Sequence, residues 1–232
     1  MRRDDPDVFE VKRAGPPSLS FPAQAVIQAL EGVVTEARYR RITEVVRGRT
    51  HRVAMVLEDV TDPHNTSAVM RSCDAFGVQN VHVIPGPRGF QAAHAVSKGS
   101  HRWLDLHVHE SPEACATALH AEGYRILYAS MEGTTRPEQL SELGKVAIVF
   151  GNEHRGPSPA LRALADGSYA IPMRGFVDSL NVSVAAAITL FSATQKGDLT
   201  EPEREALVAR YLLGSVKDGD RIVQESLLQG GA

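Results

Sequence analysis

The chain has 232 residues, 43% of them hydrophobic and 23% charged, with a formal net charge of −3. That size suits one sizeable core with helical extensions, and the composition is ordinary for a soluble globular protein. No apolar run approaches the roughly 20 residues that cross a bilayer, and the charged opening MRRDDPDVFEVKR lacks the apolar stretch of a secretory signal.

Residues 1 to about 20 contain Gly15-Pro16-Pro17 and no regular period, which predicts a loose arm. From Ala23 to about Arg49 apolar residues recur at helical spacing. Val26, Leu30, Val33, Ile42, Val45 and Val46 form the inward stripe of one broken helix or two short ones, with Gly32 as the break. Within this stretch, RYRRITEVVRGRTHR (38–52) carries six arginines against one acid, Glu44, with the arginines mostly facing out. A basic stripe of this kind on a weakly acidic protein is either a solvated helix face or a surface for a polyanion such as RNA.

Beyond Arg52 short apolar runs alternate with helical segments. VAMVL (53–57), VHVI (81–84), LDLHV (104–108), RILYA (125–129), VAIVF (146–150) and SYAI (168–171) read as strands. Helices are expected around Ser67–Phe76, Pro112–Glu122, Pro159–Ala165 and Asn181–Gln195, with Ser111-Pro112 as cap and first turn of the second. The alternation predicts an α/β fold, a mostly parallel sheet with helices on both faces. Glu201 to Leu228 reads as one or two amphipathic helices outside that core. The two cysteines, Cys73 and Cys115, are read as buried or idle thiols rather than a disulfide. That use of cysteine, with the absence of a leader, points to the cytoplasm.

In an open α/β sheet ligands bind outside the carboxyl ends of the strands, and three loops there are unusual. DVTDPHNTSAVMRSCDAFG follows VAMVLE, with Asn65 or Thr66 able to cap a helix and Arg71 about six residues on. An asparagine and an arginine near a strand end suit phosphate or ribose contacts, or are a plain cap and a solvent-facing side chain. GNEHRGPSP follows VAIVF; it has two glycines but neither the Walker Lys-Ser/Thr nor the dinucleotide fingerprint. Glycine still permits close backbone approach to a ligand. In IPMRGFVDSLNVSVAAAITLF a Ser179-Leu180-Asn181 turn opens a helix that is apolar on almost every face, so the turn is an N-cap or part of a site. Nine histidines invite a metal reading, above all His101, His107 and His109, but no H-E-x-x-H or Cys/His pairing supports it, and no metal is expected.

Taken together, N-x-x-A-x-x-R-x-x-x-A-F-G (Asn65 to Gly77), I-V-F-G-N-E-x-x-G (Ile148 to Gly156) and I-P-M-x-G-x-x-x-S-L-N-V-S-V-A-A-A (Ile171 to Ala187) resemble the three ordered motifs of the SpoU family of SPOUT-class RNA methyltransferases. The resemblance covers about residues 38 to 195. The arginine-rich helix and KGSHRW (98–103) look most like that family's tRNA guanosine-18 2′-O-methyltransferases. It implies a C-terminal trefoil knot, a homodimer packed through the helix from Val182, and S-adenosyl-L-methionine as methyl donor. The implied organisation is an arm and basic RNA-binding helix over 1–50, a knotted catalytic core over 51–197, and a helical extension over 198–232.

By the same resemblance, the donor is held mainly through backbone groups by Gly151, Asn152, Ile171, Met173 and Leu180, with Glu153 supporting the loops. Arg71 is the catalytic arginine, Asn65 positions it or the ribose, and Ser179 and Asn181 shape the pocket. A guanidinium is a poor proton acceptor, so the role expected of Arg71 is to orient a phosphate and stabilise the developing alkoxide. RNA is expected on Arg38, Arg40, Arg41, His64 and Arg174. Two other outcomes are weighed: a ribosomal RNA 2′-O-methyltransferase of the same family, and a catalytically silent RNA-binding protein on this fold. With only some 50 residues before the core, tRNA is the expected substrate.

Overall fold

The computed structural model of the chain describes residues 8–10, 18–87, 89–93, 99–194 and 197–230. Most of the N-terminal arm and Lys98 of the KGSHRW segment lie outside the described residues. Two compact units are present, one holding β1 and residues 50–194, the other residues 18–49 and 197–230.

The first unit is built on the strands expected from the apolar runs. Two short additional strands, β1 (Val8–Glu10) and β4 (Gln91–Ala93), pair antiparallel with each other. β1 falls where a structureless arm was expected. The main sheet contains β2 (Thr50–Glu58), β3 (Val78–Ile84), β5 (Asp105–Val108), β6 (Arg125–Ala129), β7 (Val146–Phe150) and β8 (Gly167–Tyr169). Its order is β5-β3-β2-β7-β6-β8, and every pairing is parallel.

Side-chain alternation along these strands feeds two cores. Val53, Met55 and Leu57 of β2 and Val146, Ile148 and Phe150 of β7 face one side, against Val69, Met70 and Cys73 of α3 (Pro63–Ala75). α6 (Val182–Ala193) packs on α3 there through Ala186, Leu190 and Ala193. Ala54, Val56, Ala147 and Val149 face the other side, against Cys115, Ala116 and Leu119 of α4 (Pro112–Ala121) and Leu161 of α5 (Pro159–Leu164). Burial on both faces explains why β7 reads as a continuous apolar run. The two cysteines, both free and buried, lie in opposite cores, which rules out a bond between them.

Strands β2, β3 and β5 step outward in one direction; the chain then crosses to β6, and β7 returns between β6 and β2. The order therefore reverses between β2 and β7, where an open parallel sheet leaves a crevice at its carboxyl edge.

The second unit is helical. α1 (Ala23–Leu30) and α2 (Glu36–Arg47) are separated at the expected break, and Thr35 caps α2 by accepting from the Arg38 amide at 3.2 Å. α1 packs against both α7 (Glu201–Leu213) and α8 (Gly219–Gly230), and α2 packs against α7. Val26, Leu30, Ile42 and Val46 are buried as expected, whereas Val33 falls in the break and is exposed. Among the described residues no helix is long and apolar enough to cross a membrane.

Candidate active site

The three loops singled out in the sequence converge at the carboxyl ends of β2, β7 and β8, and a fourth follows β6. Together the last three line a cavity of about 790 Å³, a size typical of small-molecule sites. Its walls include Ser130 and Met131 after β6, Gly151–Glu153 after β7, and Ala170–Met173 with Asp178–Asn181 after β8. The β6 loop went unnoticed in the sequence, although its place at a strand's carboxyl end was a signal for it.

The loop after β7 turns sharply on glycine. A Cβ at Gly151 would lie 2.2 Å from the Pro157 nitrogen and 2.3 Å from the Gly156 carbonyl carbon, and Gly156 has φ +65°. Side chains bigger than hydrogen are excluded at Gly151 by backbone that cannot give way. Asn152 serves the loop itself: its Oδ1 accepts from the amides of His154 (3.0 Å) and Arg155 (3.3 Å), and its Nδ2 donates to the Asp59 carbonyl at 3.1 Å. Arg155 closes the same contact with an ion pair to Asp59 at 2.7 Å. Asp59, a non-glycine residue at φ 48°, is thus a fastening that the sequence reading missed.

Glu153 is the centre of a polar relay. One carboxylate oxygen accepts from the Thr61 amide and hydroxyl, both at 3.0 Å; the other accepts from the Asp62 amide and Asn65 Nδ2, both at 3.2 Å. Burial opposes the charge of this carboxylate, but the donors from Thr61, Asn65 and Asp62 outweigh it and hold its pKa below the ordinary value. Asn65 Oδ1 in turn accepts from Asn181 Nδ2 at 3.0 Å, and Asn181 Oδ1 accepts from the Ser183 amide at 2.8 Å. Asn181 is therefore both the N-cap of α6 and a tie to the β2 loop. The relay joins all three motifs, so a displacement of one is felt by the other two.

One expectation is corrected here. α3 is capped by Asp62, which accepts from the His64 amide at 2.9 Å with Pro63 in the first turn, not by Asn65 or Thr66. The earlier start leaves Asn65 Oδ1 free to accept from Asn181 while its Nδ2 donates to Glu153.

Of the expected catalytic group, Glu153, Asn65 and Asn181 come together in the relay, and Ser179 stands exposed on the cavity wall. Gly151, Asn152, Ile171, Met173 and Leu180 all line the cavity. Arg71 does not; it is exposed on α3 and makes no hydrogen bond or ion pair with any described residue. His64 lies seven residues before it, about two helical turns, so the two exposed side chains share one stripe of α3. Arg174 is exposed beside the wall residues Met173 and Gly175.

The arginine-rich segment divides in two. Arg38, Arg40, Arg41 and Arg47 are exposed on α2. Arg40 pairs with Glu36 at 2.6 Å and Arg41 with Glu44 at 3.7 Å. Arg49 is instead 1% exposed and lies over the Tyr211 ring, and Arg52 donates to the carbonyls of Leu140, Leu143 and Ala193. Those two belong to the fold and not to a basic surface.

Comparison with known proteins agrees with this geometry. The profile of the SpoU rRNA Methylase family matches residues 52–191. A tRNA (guanosine(18)-2′-O)-methyltransferase of Thermus thermophilus is 41% identical over 163 residues, 70% of this chain and 84% of that protein. The enzyme of the same name from Borreliella burgdorferi is 32% identical over 200 residues, 83% of this chain and 92% of its own. Among solved structures, the Aquifex aeolicus TrmH/SpoU tRNA modifying enzyme superposes with a TM-score of 0.69 at 27% identity, over 78% of this chain and 98% of that one. The family match spans the six-stranded sheet and the loops that the relay joins, and the chain belongs to the SpoU methylase family.

Proposed function

We propose that this protein transfers a methyl group from S-adenosyl-L-methionine to the ribose 2′-hydroxyl of guanosine 18 in the D-loop of tRNA. The observation that carries the reading is the relay Glu153–Asn65–Asn181, which ties the family's three motifs around one cavity. The 41% identical Thermus relative, named for that reaction, supports the choice of substrate.

The cavity fits the donor in kind: Gly151, Ile171 and Leu180 line it, and the loop that carries Gly151 is folded so tightly on Gly156 and Pro157 that it admits no Cβ there. Gly151, Asn152, Ile171, Met173 and Leu180 are the residues that hold it. When bound, the donor supplies an already activated methyl group. What this chain must add is alignment of the ribose hydroxyl and stabilisation of the charge it develops. Glu153 and Asn181 fix Asn65 at the amino end of α3, the helix that carries Arg71, and Ser179 shapes the wall. Arg71 orients the substrate phosphate and stabilises the developing alkoxide. Arg38, Arg40, Arg41, His64 and Arg174 add phosphate contacts, which position RNA without reading its sequence.

Three finer features belong to this reading. Residues 51–197 form the catalytic core with a C-terminal trefoil knot, flanked by the basic helix and arm of 1–50 and the helices of 198–232. The protein acts as a homodimer through α6, whose Val184, Ile188 and Phe191 are exposed on the single chain. It works in the cytoplasm.

The test is methyl transfer from labelled donor to unmodified tRNA, followed by nucleoside and position mapping. Label as 2′-O-methylguanosine at position 18 is the expected result. Label confined to ribosomal RNA would replace the substrate, and donor binding without transfer to any RNA would overturn the enzyme reading.

A further inference from the structure

Glu153 ties the loop after β7 to the β2 loop, and two consecutive acids at the end of β2 tie it from the other side. Glu58, only 5% exposed, accepts from the Ser158 amide at 2.7 Å. Ser158 caps α5 by accepting from the Leu161 amide at 3.1 Å, so this carboxylate fixes the exit of the loop. Asp59 fixes its entry. One oxygen, Oδ2, accepts from Asn152 Nδ2 at 3.2 Å and from the Arg155 guanidinium at 2.7 Å. Asn152 is itself buried, and its Oδ1 organises the amides of His154 and Arg155.

The backbone of Asp59 lies at φ 48°, in the left-handed region that L side chains seldom adopt and that Asp and Asn tolerate best. Its amide donates to the Ile84 carbonyl at 2.9 Å, at the end of β3. The turn after β3 then closes on the side chain: a Cβ at Gly86 would lie 1.7 Å from Asp59 Oδ1 and 2.6 Å from Cγ. Only glycine at position 86 leaves room for the carboxylate. Strain of this kind persists where the surroundings over-determine it, commonly beside a functional site. The ion pair alone does not account for it, since the Arg155 side chain is 75% exposed and exposed pairs contribute little. What the conformation secures is a carboxylate aimed at Asn152, a residue of the cavity wall.

We propose that Glu58 and Asp59 are positioning residues for donor binding, a role that rests on the donor reading of the cavity. Together they hold both ends of the 151–158 loop, and Asp59 acts through Asn152. Neither acid lines the cavity, so each works through the loop and not by touching the donor.

The experiment measures S-adenosyl-L-methionine binding to the full-length chain by calorimetry, then steady-state transfer to unmodified tRNA. Wild-type binding tests the donor reading by itself; its absence overturns that reading and this role with it. Asp59→Gly removes the carboxylate at a backbone conformation that glycine adopts freely, so the fold is spared. Expected is a donor Kd raised about tenfold, the scale of one lost hydrogen bond, with a matching rise in the donor KM. The kcat at saturating donor, the tRNA KM and the denaturant midpoint stay unchanged. Asp59→Asn keeps an accepting oxygen and the backbone preference, and restores affinity to within about threefold. Gly86→Ala crowds the carboxylate from the β3 side and weakens donor binding without altering β2 or the loop. Glu58→Ala weakens it as well, and Glu58→Gln, still able to accept from Ser158, recovers it. Should Glu58→Ala fail to fold, the Asp59 and Gly86 variants decide. The proposal is overturned if Asp59→Gly binds donor as wild type does, or if Asp59→Asn binds no better than Asp59→Gly. It is also overturned if kcat, tRNA affinity and unfolding midpoint fall together with donor affinity, the mark of a merely structural role.

Discussion

Two polar clusters occupy the same sheet and treat charge in opposite ways. At the boundary between β2 and β7, Glu153 receives two donors on each oxygen, and its lowered pKa keeps the carboxylate ionised. On β3 and β5, burial and then the neighbouring His107 and His109 push His82 down to about 3, which keeps the imidazole neutral. A shift in the same direction thus preserves charge in an acid and suppresses it in a base. The relay is a satisfied scaffold around a cavity; the histidine cluster leaves His82 Nε2 buried without a hydrogen-bond partner among the described residues.

If the relay only positions, the chemistry must reside elsewhere, and Arg71 gives the largest effect. Arg71→Ala lowers methyl transfer about 10²–10³-fold, the range for a lost charge-stabilising donor. Donor affinity, measured by calorimetry, stays unchanged because Arg71 lies outside the cavity lining. Near-wild-type turnover would remove Arg71 from the mechanism. Next comes Gly151→Ala, which forces the loop away from Pro157 and Gly156. Donor affinity falls roughly tenfold for each 1.4 kcal/mol of displaced loop, while the histidine side of the sheet keeps its unfolding behaviour. Unchanged affinity would show that the loop does not hold the donor.

How much of this contrast the sequence disclosed depended on periodicity and motif. The six main strands were legible from short apolar stretches, most plainly β7, which is buried on both faces and is an uninterrupted apolar run. β1 and β4 were not, since three-residue strands paired across some 80 residues leave no local period. Asn65, Glu153 and Asn181 were legible through the family motifs, but the roles of Thr61, Asp62 and Asp59 were not, because their partners, Glu153 and Arg155, lie some 90 residues on and only the fold brings them together. His82 looked like a strand residue among valines; only the registry of β3 with β5 sets it against His107. Arg49 and Arg52 show the converse, counted with a basic stripe yet spent inside the fold.

Glu153→Gln separates shape from charge in the relay. The amide keeps one accepting oxygen but turns its NH₂ toward hydrogen-bond donors, leaving buried groups unpaired. The cost is about 1–3 kcal/mol of stability, read by denaturant unfolding, with donor affinity reduced because Asn181 loses its anchored partner. A variant as stable as wild type would mean that the four donors find water instead and that the relay is not a scaffold.

The smallest effect comes from the histidine cluster. Unfolded, His82 titrates near 6.5; folded, near 3. Between those values the unfolded chain binds the extra proton, so stability rises with pH and is lost as the solution is acidified. At pH 5.5 the loss is about 1.4 kcal/mol from His82. The Glu153 carboxylate contributes nothing there, since its stabilisation is lost only on acidification below the ordinary carboxylate range, about pH 4.3. Unfolding free energies measured at pH 7.5 and 5.5 therefore report the histidine cluster and not Glu153. His82→Asn, which cannot titrate, flattens the difference by that amount. If wild type and His82→Asn lose the same stability between the two pH values, the imidazole is not held neutral, and the two clusters do not treat charge in opposite ways.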